Sequence, residues 1–196
     1  MTAVPKRKLT PEEYLAIERK AEFKSEYFGG EMFAMAGASR QHCRITANLI
    51  GELHARLKGG PCQTFASDMR LRVPTTVLYT YPDIVIVCGE PQFEDEIFDT
   101  LLNPRVIIEV LSETTASYDR GSKYRHYQQI ESLQEYVLIA QDEPAIEQLV
   151  RQQDGNWLSK VTAGLEREIV ITAVPAKILV SEIYAGVTFP ESPRRG

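Results

Sequence analysis

At 196 residues, with 43% hydrophobic and 25% charged side chains, the chain fits one globular domain with a sizeable core and excludes a disordered or fibrous class. A formal net charge of −5 excludes a global attraction to nucleic acid, so a polyanionic partner has to meet a local basic surface or bridging cations. Cys43, Cys62 and Cys88 are scattered, with an odd total and no paired spacing, which supports neither a disulfide framework nor a zinc site and suits a reducing cytoplasm.

Residues 1–9 read as a flexible amino end that lacks a signal peptide's apolar stretch, and no run in the chain approaches the length of a membrane span. Thr10, Pro11 and Glu13 predict a capped helix reaching about residue 21. Residues 26–28 and 32–35 flank Gly29-Gly30 as a hairpin. Ser39 caps a longer helix to Lys58, in which Ile45, Leu49, Leu53 and Leu57 recur every four residues and Gly59-Gly60 closes the run. Strands follow at 62–66, 69–73, 81–87 and 106–111. The stretch 90–99, with five acids and no basic residue, reads as a solvated loop. A helix over 119–130, a strand over 135–140, a hairpin of 146–152 with 156–161, a strand over 169–174 and a closing helix over 177–184 complete a single domain, 10–189. A frayed tail, 190–196, ends the chain. Helix, strands, helix, strands is the order of an α/β (α+β) architecture with a central mixed β-sheet flanked by helices.

Two acids stand out against this frame. Asp83 opens the apolar run 81–87, and Glu109 lies inside Val106-Ile107-Ile108-Glu109-Val110-Leu111. A charge in an apolar strand has to be paired or to coordinate a metal. Carboxylate oxygen suits hard divalent cations, and such a cation activates water or stabilises a leaving oxyanion, so metal-assisted hydrolysis is the first chemistry to consider. Ile107, Glu109 and Leu111 share one strand face, so a lysine at 111 would stand beside Glu109, where the chain has leucine. The nearest downstream ammonium that the fold can return is that of Lys123, near the start of the next helix.

At these residues the chain resembles the PD-(D/E)XK nuclease superfamily and, more closely, the Uma-two family of restriction-endonuclease-like proteins. The resemblance rests on Ser25-Glu26-Tyr27-Phe28-Gly29-Gly30-Glu31, His42 opening the long helix, Pro82-Asp83, Glu109-Val110-Leu111-Ser112, Asp119-Arg120-Gly121-Ser122-Lys123 and Glu135-Tyr136, in that order over residues 10–185. It implies a restriction-endonuclease-like core and a magnesium-dependent DNA endonuclease, with manganese as a substitute ion. Asp83 and Glu109 become metal ligands, Lys123 the migrated catalytic lysine, and Glu26 a third carboxylate at the metal. Leu111 departs from the superfamily pattern and makes catalysis depend on Lys123 folding back; Gly29 departs where this family's motif leads one to expect an acid. A symmetric homodimer is the simplest way to nick both strands of a duplex.

Other readings of the same residues stay open. Asp83 can be a strand-entry acid that caps a turn, Glu109 half of a buried salt bridge with Lys123, and Lys123 itself a surface lysine. A noncatalytic module that retains a nuclease fold is the alternative function. His42 reads as a hydrogen-bonded structural histidine, Asp119 as a helix N-cap, and Tyr124 and Tyr127 as packing against the sheet. Arg120, Arg125 and His126 form a solvated basic face, and Asp68 lies at the edge of any site.

Overall fold

Thr10 caps the first helix, α1 (Pro11–Glu18), as its sequence predicts: its hydroxyl accepts from the Glu13 N–H at 3.2 Å, and the Glu13 carboxylate accepts from the Thr10 N–H at 2.9 Å. The computed structural model describes residues 7–190. The expected tail beyond Pro190 and the first six residues of the expected flexible amino end therefore lie outside the described residues. Of that amino end, Leu9 donates its N–H to the Gly30 carbonyl at 2.9 Å.

β1 (Ser25–Phe28) and β2 (Glu31–Ala34) form the predicted hairpin. Gly29 and Gly30 both have positive φ, 61° and 89°, which is the backbone a two-residue hairpin turn demands and which side chains resist. α2 (Arg40–Leu57) is capped by the Ser39 hydroxyl and buries Ile45, Leu49, Leu53 and Leu57 as one stripe. The strands β3 (Cys62–Ala66), β4 (Arg70–Val73), β5 (Leu78–Thr80), β6 (Ile84–Cys88), β7 (Thr100–Leu101) and β8 (Val106–Leu111) follow. The helical segment α3 (Ala116–Tyr118), a π-helical turn over Asp119–Lys123 and α4 (Tyr124–Tyr127) lead to β9 (Glu135–Ala140). β10 (Ala145–Arg151), β11 (Trp157–Ala163), β12 (Glu168–Ile171), β13 (Ala176–Leu179) and α5 (Val180–Ile183) complete the order.

The central sheet is mixed and six-stranded, β11-β10-β9-β8-β6-β3, with β8 and β9 parallel and the other pairs antiparallel. Its strands β6, β8 and β9 are buried on both faces, so they read as continuous apolar runs. One face carries Ile84, Ile86, Val106, Ile108, Val110, Val137 and Ile139 against α2, α5 and the β12–β13 pair. The other carries Val85, Val87, Ile107, Leu111, Tyr136 and Leu138 against a second sheet, β2-β1-β5-β4-β7, and against Tyr127, Ile130 and Leu133. That second sheet extends the expected one-sheet design. It arises because the run expected over 81–87 begins only at Ile84, while Leu78–Thr80 pairs separately with β4.

Three further expectations are corrected. The closing helix expected over 177–184 begins as a strand: Ala176 and Ile178 are buried while Lys177 and Leu179 are exposed, a period of two, and only Val180–Ile183 is helical. The cysteines are not all free, because Cys62 and Cys88 form a disulfide. β3 and β6 pair with these two residues opposite one another, a register that residues 26 apart in sequence do not announce. With Cys62 and Cys88 joined, the cysteines no longer point to a reducing compartment. No helix among the described residues is long and apolar enough to cross a membrane.

The acidic stretch is also not a freely solvated loop. Arg19 bonds to Asp99 at 2.8 and 2.9 Å and to Asp95 at 2.7 Å, Arg70 reaches Asp99 at 2.7 Å, and Arg72 pairs with Glu94. Hydrogen bonds from Arg19 outweigh partial burial and hold the Asp99 carboxyl well below its ordinary value of 3.8. A lowered acid contributes stability that is complete above its unfolded-state value and is lost as pH falls toward its folded-state value. Asp99→Asn is therefore expected to lower stability at pH 6 by about 1–2 kcal/mol, and the gap to wild type should narrow below about pH 4 in denaturant melts.

Candidate active site

Asp83 and Glu109 meet because of strand register. Ile84 lies opposite Ile108 in the antiparallel β6–β8 pair, so the position before Ile84 falls beside the position after Ile108, on the face shared with Val85, Ile107 and Leu111. The Asp83 N–H stands 3.4 Å from Glu109 Oε2. The Asp83 carboxylate is fixed at both oxygens: Oδ2 accepts from the Val110 N–H at 2.8 Å, and Oδ1 lies 2.8 Å from His42 Nε2 on α2.

Lys123 folds back onto this pair from the helical segment. Its Nζ lies 2.8 Å from Glu109 Oε1, 3.4 Å from Glu26 Oε1 and 3.6 Å from Asp119 Oδ1. Glu26 comes from β1 in the second sheet, where the Thr80 hydroxyl donates to it. Tyr127, one turn beyond Lys123, donates its hydroxyl to Glu109 Oε1 at 3.0 Å. Leu111 packs among Ile107, Tyr127, Tyr136 and Leu138, so the position beside Glu109 that could have carried a lysine is core. The site is thus assembled from three units: Asp83 and Glu109 from the central sheet, Glu26 from the second sheet, and Asp119 and Lys123 from the helical segment.

Glu109 is 4% exposed and Lys123 5%. Burial pushes the Glu109 carboxyl up from 4.5 to about 8; Lys123 opposes that rise and the neighbouring Asp83 and Asp119 add to it. Asp119 is raised for the same leading reason. Lys123 moves the other way from a buried amine: burial disfavours its charge, yet Glu109, Glu26 and Asp119 hold it protonated well above 10.5. Four carboxyl groups lie round one ammonium and one imidazole; burial leads the rise of Glu109 and Asp119, and their carboxylate neighbours add to it.

This donor set suits a hard divalent cation, since it is all carboxylate oxygen with charge left to neutralise. Among the described residues no three or more His, Cys, Asp or Glu side chains are already gathered round one metal position; the Lys123 ammonium stands between them. Asp83 and Glu109 are the residues that would hold the ion, with Glu26 at its margin.

The structure brings Asp83, Glu109, Lys123 and Glu26, the candidate residues of the sequence, to one place. Tyr127 packs against the sheet and His42 is hydrogen-bonded, both as expected, but their partners in the site, Glu109 and Asp83, were not foreseen. Both carried a signal: Tyr127 follows Lys123 by four residues and so shares its helix face, and His42 precedes the buried Ile45 and Leu49 by three and seven. Asp119 is not an N-cap, because helical residues begin at Ala116 and Asp119 has helical dihedrals of −64° and −44°. Tyr124 packs as expected, stacked on Tyr136. Asp68 is exposed and pairs with Lys24 at 2.9 Å. Arg120 lies 3.4 Å from Glu147, and Arg125 donates to Ser122.

Residues 11–178 match the Uma2 family, described as "Putative restriction endonuclease". A relative in Synechocystis sp., "Uncharacterized protein slr1290", is 34% identical over 187 residues, covering 95% of this chain and 97% of its own. "Uncharacterized protein sll1609" of the same organism is 38% identical over 161 residues, covering 82% and 91%. A crystal structure from Anabaena variabilis, described as "a putative nuclease belonging to DUF820", superposes with a TM-score of 0.74 over 90% of this chain and 97% of its own. At 18% identity that likeness concerns the fold.

Proposed function

Because the chain belongs to the Uma2 family, we propose that it is a DNA endonuclease that hydrolyses phosphodiester bonds with magnesium, or manganese in its stead. The observation that carries this reading is the return of Lys123 to 2.8 Å from Glu109 beside Asp83, two carboxylates and an ammonium delivered by separate elements to one spot. Asp83 and Glu109 would hold the divalent cation, which when bound would supply Lewis-acid stabilisation of the phosphate's developing charge. Lys123 stays protonated in its ring of acids, so it acts as a donor to a phosphate oxygen and to the attacking water rather than as the base that takes the water's proton. Glu26 holds Lys123 from the second sheet and offers a further acceptor to that water. His42 and the Val110 N–H fix the Asp83 carboxylate, as partners of a metal ligand commonly do. Two copies related by symmetry would meet both strands of a duplex.

Titration calorimetry of wild type and Asp83→Asn with Mg²⁺ and Mn²⁺, followed by incubation with plasmid DNA, tests the proposal. Binding and nicking are expected in the wild type and should disappear together in the variant. A second reading, a noncatalytic module in which Glu109 and Lys123 form a structural ion pair, is favoured by the ammonium already standing among the carboxylates. Absence of metal binding in both proteins would select it.

A further inference from the structure

Asp119 is a buried carboxyl for which the chemistry above has no use. It is 3% exposed, and it stands in the π-helical turn where α3 passes into α4. Such turns inside helices are frequent at functional sites. Its side chain faces Lys123 at 3.6 Å, four residues on, and Lys123 is followed at the same interval by Tyr127. The three therefore form one stripe, and Lys123 and Tyr127 both end on Glu109. The backbone beneath the stripe is held as well, since the Tyr136 hydroxyl donates to the Asp119 carbonyl at 3.2 Å.

The need for such a residue follows from competition for Glu109. Its Oε1 accepts from both Lys123 and Tyr127, and a divalent cation on Glu109 would withdraw negative charge from the ammonium and repel it. Lys123 stands on the helical segment and not on the central sheet with Asp83 and Glu109, so on losing that attraction it needs another counter-charge. Glu26 belongs to a different sheet and also accepts from Thr80. Asp119 rides on the same turn as the lysine and moves with it.

We propose that Asp119 is the positioning residue of Lys123, holding the ammonium on the site when Glu109 is engaged by a divalent cation. The inference rests on the metal-site reading of Asp83 and Glu109. It assigns Asp119 a role in the turnover step, not in metal affinity.

The test uses the full chain with Mn²⁺ as the ion and plasmid DNA as substrate. Asp119→Ala is expected to bind Mn²⁺ as wild type does and to keep its KM for DNA, while kcat falls about 10- to 100-fold, the usual loss for a supporting partner of a site residue. A variant carrying Asp119→Ala and Lys123→Ala together should be no slower than Lys123→Ala alone. Independently of cleavage, reductive methylation read by mass spectrometry should leave Lys123 protected in Mn²⁺-saturated wild type and modify it readily in Asp119→Ala. Asp119→Asn, isosteric and uncharged, serves both assays if the alanine variant does not fold.

Several results would overturn the proposal: weaker Mn²⁺ binding in Asp119→Ala, which would make Asp119 a ligand; additive losses in the double variant; or unchanged turnover and methylation. Wild-type protein that binds Mn²⁺ and protects Lys123 but does not nick plasmid would defeat the nuclease reading, and the methylation comparison would still decide the role of Asp119. Wild type that binds no Mn²⁺ overturns both.

Discussion

Replacing Lys123 by Ala is expected to slow plasmid nicking by about 10²- to 10³-fold, the loss that follows removal of one preorganised donor to developing charge. Metal binding should survive, because the carboxylates of Asp83 and Glu109 remain and lose a competitor for them. The variant leaves four carboxyl groups without an ammonium, so without a divalent ion its melting temperature should fall, and saturating Mg²⁺ should restore it. Single-turnover nicking at saturating metal, with melts in chelator and in Mg²⁺, separates these effects. A nicking rate equal to wild type would remove Lys123 from the chemistry.

Glu109→Gln should abolish metal binding and nicking, and its effect on stability distinguishes the two functional readings. A structural ion pair predicts that removing one partner destabilises the fold by about 3–5 kcal/mol, since a buried charge is left alone. Here Lys123 would keep Glu26 and Asp119, and Glu109 itself is a strained charge, its folded value near 8 against an ordinary 4.5. A raised acid retains a proton that the unfolded chain releases, so between about pH 5 and pH 8 the wild type loses stability as pH rises. The glutamine variant has no such proton. In metal-free buffer it should match the wild type near pH 5 and exceed it near pH 8, as denaturant melts at the two values will measure. A variant that is less stable at both would support the ion-pair module instead.

Much of this site was legible in the chain, for identifiable reasons. Strand alternation put Glu109 on a defined face, and the apolar residues around it demanded a partner for the charge. The capping box at Thr10 and Glu13 and the four-residue stripe of α2 are local patterns, and local patterns survive into the structure. What escaped was long-range. Cys62 and Cys88 meet through β3–β6 pairing, which has no nearby sequence signal; the docking of the second sheet and the helical segment has none either, so Glu26 and Lys123 were placed together only through the family resemblance. The acids of 90–99 looked solvated because their arginine partners lie far away: Arg19 is 80 residues from Asp99. Asp119 was misread because Asp before a helical run usually caps it, whereas here the helix had already begun at Ala116.

Leu111 has a consequence for how activity responds to temperature. With that position filled by core, the ammonium stands on a different element from the Asp83 and Glu109 carboxylates, and that element is short: three residues of α3, a π-helical turn and four residues of α4. Short helical elements with an interrupted hydrogen-bond ladder open at lower free energy than the strands of a sheet buried on both faces. Opening of residues 116–127 would withdraw Lys123 and leave Asp83 and Glu109 in register. If the chain is the nuclease proposed, its activity would then have a thermal limit of its own, set by the helical segment and reached while the sheet is still folded.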